Sequence, residues 1–448
     1  MKQLPIEYKL RMEKLLGKDF CNYENELKNP PIKAFRVNTD KVSLEEFEKI
    51  NVFSKEKIPY VSNGYYLDFD KVGNHLYHHA GLIYVHEPAA MAPAECVDIE
   101  SDWCILDMCA APGGKSTQLK NKLGENGVLV SNEIISSRCK ILTGNIERLG
   151  LCNTVVTCMD TAKLAKTFEN TFDLVMVDAP CSGEGMFRKE EIAIDEWSES
   201  NVLKCAKRQA EILDNAVKTL KSGGTIVYAT CTFSLEENEM TVDAFLQRHP
   251  EFQIVPVNER VQKHTVDGIM FEGCKCENIH FARRFYPHKA KGEGQFMAVL
   301  RHKGEKVCTV NYSQNIKPNK IVTDFLEDTL SEYNPNYLNE YNDNPVYYNN
   351  KIPVKKGQAF CCGVTIGEIR KNYIMPHHQF FTALGHKFKR KINLPLESDL
   401  LTKYLHGEEI DTDLPNGWAV VMVDGFSLGG AKIVNGKAKN HYPKGLRK

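Results

Sequence analysis

The chain of 448 residues carries a formal net charge of -1, with 42% hydrophobic and 26% charged residues. That composition is typical of a soluble globular protein, and the length exceeds one ordinary core, so two or three domains are expected. Residues 1–7 hold no apolar targeting core and no stretch is apolar for long enough to span a bilayer, which points away from membrane and secreted proteins and towards the cytoplasm. The fifteen cysteines, odd in number and scattered, read as reduced thiols. Cys274 and Cys276 with His280 fit no common zinc spacing, so no metal is expected. Basic charge gathers late, at Lys387, Lys389, Arg390 and Lys391, and again at Lys432, Lys437, Lys439, Lys444, Arg447 and Lys448, patches that suit a polyanion.

Residues 1–100 mix helical and extended patterns, and Arg36-Val37-Asn38 and Glu87-Pro-Ala-Ala-Met91 stand out without a periodicity to explain them. From Cys104 short apolar strands alternate with amphipathic segments, which predicts a parallel sheet with helices on both faces. Strands are expected at 104–108, 128–132, 154–158, 174–177 and 225–229, with helices beginning near Lys115, Ser136 and Asn201. The last helix carries an apolar stripe of Ala206, Ala210, Leu213, Val217 and Leu220. A helix over 236–249 and a closing strand over 295–301 follow. Residues 330–350, crowded with Asn and Tyr, have the texture of a linker or irregular surface. Trp418-Ala-Val-Val-Met-Val423 and Ala431-Lys-Ile-Val434 flank a Gly-rich turn over 424–430, a small β-rich module. The expected fold class is α/β: a Rossmann-like core at 101–303, an N-terminal α+β subdomain at 1–100, an intermediate segment at 304–392 and a terminal module at 393–448.

The first strand runs into Asp107-Met-Cys-Ala-Ala-Pro-Gly-Gly-Lys-Ser116, where paired glycines admit close backbone approach to a ligand. A P-loop would need Gly where Cys109 stands, and the G-x-G-x-x-G of dinucleotide enzymes is absent. Carboxylates then recur at strand ends. Glu133 follows the second strand, where it can take ribose hydroxyls, and Asp160 follows the third, where it can accept from an adenine amine. A glycine loop followed by carboxylates suits S-adenosylmethionine, a cationic nucleoside without phosphate.

Two cysteines close later strands. Cys181 ends Phe172-Asp-Leu-Val-Met-Val-Asp-Ala-Pro-Cys181, and Cys231 ends Gly224-Thr-Ile-Val-Tyr-Ala-Thr-Cys231. In an open α/β sheet the ligand crevice lies outside the carboxyl ends of the strands, so neighbouring strands would bring both thiols to it. A thiolate answers one chemical problem in particular. Carbon 5 of cytosine is a poor nucleophile, and adding a thiolate to carbon 6 turns it into an enamine carbon able to take a methyl group. Asp178 is placed for the N3/N4 edge of the base, as an acid if its pKa is raised, and Lys115 can support a thiolate or carboxylate in the same crevice. The chemistry alone leaves open which thiol attacks, since pyrimidine enzymes acting on DNA use the Pro-Cys position, here Cys181.

Asp107-Met-Cys-Ala-Ala-Pro-Gly-Gly-Lys-Ser, Asp178-Ala-Pro-Cys-Ser-Gly-Glu-Gly, Ala229-Thr-Cys-Thr-Phe and Arg284-Phe-Tyr-Pro-His-Lys-Ala-Lys-Gly-Glu-Gly-Gln-Phe296 closely resemble the Nol/Nop/Sun family of RNA 5-cytosine methyltransferases over roughly residues 30–300. The resemblance implies that Cys231 attacks and Cys181 assists release. It places cofactor contacts on Cys109, Ala110, Ala111, Pro112, Gly113, Gly114 and Lys115 and on Glu133, Asp160 and Asp178. The extra C-terminal modules resemble the bacterial branch that modifies small-subunit ribosomal RNA, with a PUA-like RNA-binding domain at the end. Members often have Gly-Glu-Gly-Phe-Phe where this chain has Gly292-Glu-Gly-Gln-Phe296, and many carry a tryptophan where the terminal module has Gly429-Gly430. The expectation is a monomeric cytoplasmic enzyme that binds S-adenosylmethionine and ribosomal RNA or the small subunit. Its rivals are a methyltransferase acting on another RNA such as tRNA, on an exocyclic amine or on a small molecule, and a non-catalytic RNA-binding assembly factor.

Overall fold

The computed structural model describes residues 2–306 and 319–447. Near the N-terminus β1 (Ala34–Val37), β2 (Gly64–Tyr66) and β3 (Ile83–Val85) form an antiparallel sheet in the order β2-β1-β3. The main sheet follows: β4 (Cys104–Asp107), β5 (Val128–Asn132), β6 (Thr154–Thr157), β7 (Phe172–Asp178) and β8 (Leu220–Thr230) are parallel. Then β9 (Phe252–Val255), β10 (Val266–Asp267), β11 (Arg283–Phe285) and β12 (Gln295–His302) join as antiparallel strands, giving the order β10-β11-β12-β8-β7-β4-β5-β6 with β9 on β12. Every residue of β4, β5 and β6 is buried, because helices cover both faces and leave no solvated side for polar alternation. Leu106, Val130 and Val175 pack on one face and Ile105, Leu129 and Leu174 on the other. The strand order reverses beside β4, which opens the crevice above the carboxyl ends of β4 and β7.

The covering helices are α1 (Gly114–Lys120), α2 (Ser136–Leu149), α3 (Thr161–Thr167), α4 (Glu199–Thr219) and α5 (Glu239–Arg248). The five expected core strands all form, but the stripe expected on α4 is displaced. Its buried face runs through Val202, Cys205, Gln209, Ile212, Leu213 and Ala216, while Leu220 opens β8. The apolar pattern misled because Gln209 faces inward, its amide donating to Pro180 O at 3.0 Å and to Glu237 Oε2 at 2.8 Å.

The Asn/Tyr-rich segment is ordered, not a linker. Strands Leu338–Tyr341 and Asn344–Tyr347 pair across Asn342 and Asp343, at φ 50 and 65, the two left-handed residues a tight hairpin requires. Tyr341, Tyr347 and Tyr348 are buried beneath it. The short strand Cys361–Cys362 adds antiparallel to β6, extending the main sheet at that edge.

The terminal module is a five-stranded sheet of Lys391–Leu394, Ile410–Asp411, Gly417–Val423, Phe426–Val434 and Lys437–Asn440. The turn expected over 424–430 shrinks to Asp424 and Gly425. Gly430 lies within the strand, where a Cβ would sit 2.3 Å from Phe381 Cζ, so glycine there makes room for an aromatic ring. Phe35, Val37 and Phe47 share one core with Leu401, Val421 and Ile433, which joins the N-terminal subdomain to the terminal module. The basic run at 387–391 is partly neutralised: Arg390 pairs with Asp328 at 2.9 Å and Lys387 with Glu332 at 3.4 Å. Among the described residues no helix is long and apolar enough to cross a membrane.

Candidate active site

One cavity of about 1240 Å³ opens above the carboxyl ends of β4 to β8. Its wall includes Cys109, Ala110, Ala111, Pro112, Gly114, Lys115, Glu133, Asp160, Asp178, Cys181 and Cys231. Of the residues expected at the site only Gly113 stays off the wall. At φ 114 it turns the chain into α1, and a Cβ there would meet Leu142 at 3.0 Å.

At the β4 end the residues suit a nucleoside. Asp107 is fully buried and its Oδ2 accepts from Ser116 Oγ at 2.6 Å, whereas among the described residues no hydrogen-bond partner is found for Oδ1. Burial raises its pKa to about 7. Glu133 follows β5, its Oε1 accepting from Ile135 N at 3.0 Å and its Oε2 lying 3.2 Å from Arg138. Beside it Ile134 and Ile135 stand 63% and 48% exposed on the cavity wall, an apolar step next to a carboxylate. Asp160 caps α3 through Lys163 N at 2.8 Å, so one carboxylate oxygen is committed and the other is left for the cavity.

At the other end Asp178 closes β7. Its Oδ2 accepts from Lys115 Nζ at 2.7 Å. Lys115 is buried, and although burial disfavours its charge, Asp178, Asp107 and Cys231 together raise its pKa. The two cysteines meet, with Cys181 Sγ 3.2 Å from Cys231 Sγ. That contact follows from topology, because β7 and β8 are parallel neighbours with Asp178 opposite Ala229, and each chain turns over the crevice a few residues later. The Cys181 pKa lies well above the usual thiol value, raised by the hydrogen bond to Cys231 and then by burial. Cys181 is therefore a thiol at neutral pH.

Buried carboxylates that the sequence reading passed over hold the two cysteine turns. Glu237 accepts from Ser182 N at 3.0 Å and from Ser182 Oγ, and burial raises its pKa to about 7. Ser182 Oγ lies 2.8 Å from Thr232 Oγ1. Glu184 takes Phe233 N at 2.9 Å, Ser234 Oγ at 2.7 Å and Trp197 Nε1 at 2.8 Å. Gly185 N donates to Cys231 O at 2.8 Å. A Cβ on Gly185 would stand 2.8 Å from Cys231 O and from Gly294 O, both backbone atoms unable to swing aside. Gly185→Ala should displace the cysteine turns, and its overpacking should cost about 1–3 kcal/mol of stability, read as a lower melting temperature. Full activity with an unchanged melting temperature would show that the turns do not need this approach.

The two unexplained N-terminal motifs support the same cavity. Arg36, 1% exposed, donates to Gly114 O at 2.7 Å and to Thr117 Oγ1 at 2.8 Å, bracing the glycine loop from β1. Glu87 accepts from Ala90 N at 2.7 Å and from Glu293 N at 2.8 Å, tying the Pro88–Met91 helix to the segment before β12. Arg36 was conspicuous in the sequence, but its partner lies 78 positions away and no local pattern carries that.

A doubly wound sheet with a glycine loop and acidic strand ends, covered by helices on both faces, defines a Rossmann-like methyltransferase. The family model for 16S rRNA methyltransferase RsmB/F matches residues 94–301, that for the N-terminal domain of 16S rRNA methyltransferase RsmF matches 4–88, and that for the methyltransferase RsmF PUA domain matches 391–448. The ribosomal RNA small subunit methyltransferase F of Vibrio vulnificus is 29% identical, covering 96% of this chain and 93% of its own. That of Shewanella piezotolerans is also 29% identical, covering 97% and 94%. Among solved structures a methyltransferase homologue from Pyrococcus horikoshii aligns with a TM-score of 0.58 at 26% identity, over 66% of this chain and 94% of that one. NSun6 from the same organism, solved with SFG, shares the fold with a TM-score of 0.57 at 22% identity, over 67% and 99%. The three models, which follow one another along the chain, and these relatives together support an RsmF-like member of the Nol/Nop/Sun methyltransferases.

Proposed function

We propose that the protein transfers a methyl group from S-adenosylmethionine to carbon 5 of a cytidine in small-subunit ribosomal RNA, through a transient bond between Cys231 and carbon 6. The observation that carries this reading is the 3.2 Å contact of two thiols on the wall of a cavity whose other end is lined by carboxylates. S-adenosylmethionine would supply an electrophilic methyl group. The residues fit it: Asp107 Oδ1 is a buried acceptor with no partner among the described residues, Glu133 offers a carboxylate for ribose hydroxyls, and Ile134 and Ile135 offer an apolar wall for adenine.

The rest of the chemistry belongs to the chain. Cys231 Sγ adds to carbon 6, and the displaced electron pair makes carbon 5 nucleophilic. Lys115, bonded to Asp178, lies on the same cavity wall as Cys231. Asp178 receives the exocyclic amine, and the proton that N3 gains during addition comes from the Asp178–Lys115 pair rather than from a lone acid, since the two are joined at 2.7 Å. Once carbon 5 is methylated, Cys181, in contact with Cys231, gives its proton to the departing Cys231 sulfur as the carbon 6–sulfur bond breaks and takes up the proton that carbon 5 loses, while N3 returns its proton to the Asp178–Lys115 pair and the ring regains its double bond. The target base has to leave its stack or lie in a loop for a thiol to reach carbon 6.

The family relatives act, by their names, on small-subunit ribosomal RNA, and the shared PUA model at 391–448 supports an RNA partner. Bisulfite sequencing of that RNA from cells with and without the protein tests the substrate. At least one cytidine should read as methylated only when the protein is present. Identical profiles, with methylation appearing in tRNA or another RNA instead, would overturn the ribosomal assignment.

A further inference from the structure

Gln295 is the first residue of β12 and lies on the cavity wall. It is 2% exposed, and among the described residues its buried Nε2 has no hydrogen-bond partner. A buried amide left unpaired costs roughly 1–3 kcal/mol, and such groups in a site are explained when a ligand supplies the partner. The register shows where the ligand would lie. Phe296 pairs with Thr230, the last residue of β8, so Gln295 and Cys231 are the next residues beyond that rung on the two strands. Both side chains line the cavity. The carboxylate two residues before Gln295 is already engaged, because Glu293 is held by Arg188 at 2.9 Å.

Strand order then matches Gln295 to a part of the nucleotide. Across the sheet come β4 with its glycine loop, β7 with Asp178, β8 with Cys231 and β12 with Gln295. A pyrimidine with carbon 5 towards the methyl donor and carbon 6 on Cys231 presents its N1 side to β12. The polar atoms there are the base oxygen O2 and the ribose 2′-hydroxyl, both acceptors.

We infer that Gln295 reads the N1 side of the target nucleotide, donating its amide N–H to O2 or to the 2′-hydroxyl. This rests on the cytidine C5 reading above. The amide pairs only when the nucleotide is seated, so its hydrogen bond contributes to substrate selection and not to folding.

Gln295→Met, similar in volume and unable to donate, tests this in the full-length protein, with Gln295→Leu as a second variant. Either should lower kcat/KM for the RNA about 10- to 100-fold, the loss of one buried hydrogen bond. The KM for S-adenosylmethionine should stay unchanged and the melting temperature should not fall, because the folded free protein loses only an unpaired amide. RNA carrying 2′-deoxycytidine at the target separates the two acceptors. If the penalty disappears on that substrate the partner is the 2′-hydroxyl, and if it persists the partner is O2. Wild-type kcat/KM in both variants would overturn the inference while leaving the C5 reading intact. Absence of C5 methylation by the wild-type protein on the same RNA would take down both.

Discussion

Cys231→Ala should reduce methyl transfer by at least about 10⁴-fold, the scale on which a covalent nucleophile is missed. Binding of S-adenosylmethionine, measured by calorimetry, should be unchanged. The nucleoside end of the cavity is built on Asp107, Glu133 and Asp160, at the ends of β4, β5 and β6, and Cys231 follows β8. The fold should also persist, since the backbone carbonyl of Cys231, not its sulfur, anchors Gly185. Turnover within about tenfold of wild type would remove Cys231 as the nucleophile and leave Cys181, three residues past β7, as the candidate.

Cys181→Ala should have a different and equally large effect. In the mechanism proposed above, addition and methylation need only Cys231, whereas release uses the thiol 3.2 Å from it. The variant should therefore stall after bond formation and accumulate a protein–RNA adduct that survives denaturing electrophoresis. The wild type should show none at steady state. Cys181 also packs beside the Ser182–Glu237 contacts, which do not involve its sulfur, so the turn should keep its shape. A Cys181→Ala enzyme that turns over at the wild-type rate without adduct would remove the release role.

The apolar runs of β4 to β8 made the doubly wound sheet legible, because a parallel strand covered on both faces leaves a continuous hydrophobic signature. The cysteine turns were legible for the same reason: strand ends could be located, and ligands collect outside them. What stayed hidden depends on contacts between distant residues. Gln209 broke the expected stripe on α4 because its partners, Pro180 and Glu237, come from other elements. Arg36 and Glu87 looked unusual but had no local meaning until the glycine loop and Glu293 were brought against them. Glu184 and Glu237 read as ordinary acids in sequence, whereas burial makes them the clamps of the cysteine turns. The Asn/Tyr-rich hairpin misled for a compositional reason: residues typical of loops also build a left-handed two-residue turn, and tyrosine covers a core while keeping its hydroxyl paired.

The central claim is a sulfur–carbon bond between the enzyme and the pyrimidine ring. Peptide-level mass spectrometry of the species trapped by Cys181→Ala tests it most directly. A methylated cytidine should be carried on the peptide containing Cys231. An adduct on any other residue, or methylated RNA that never becomes attached to protein in this variant, would contradict it.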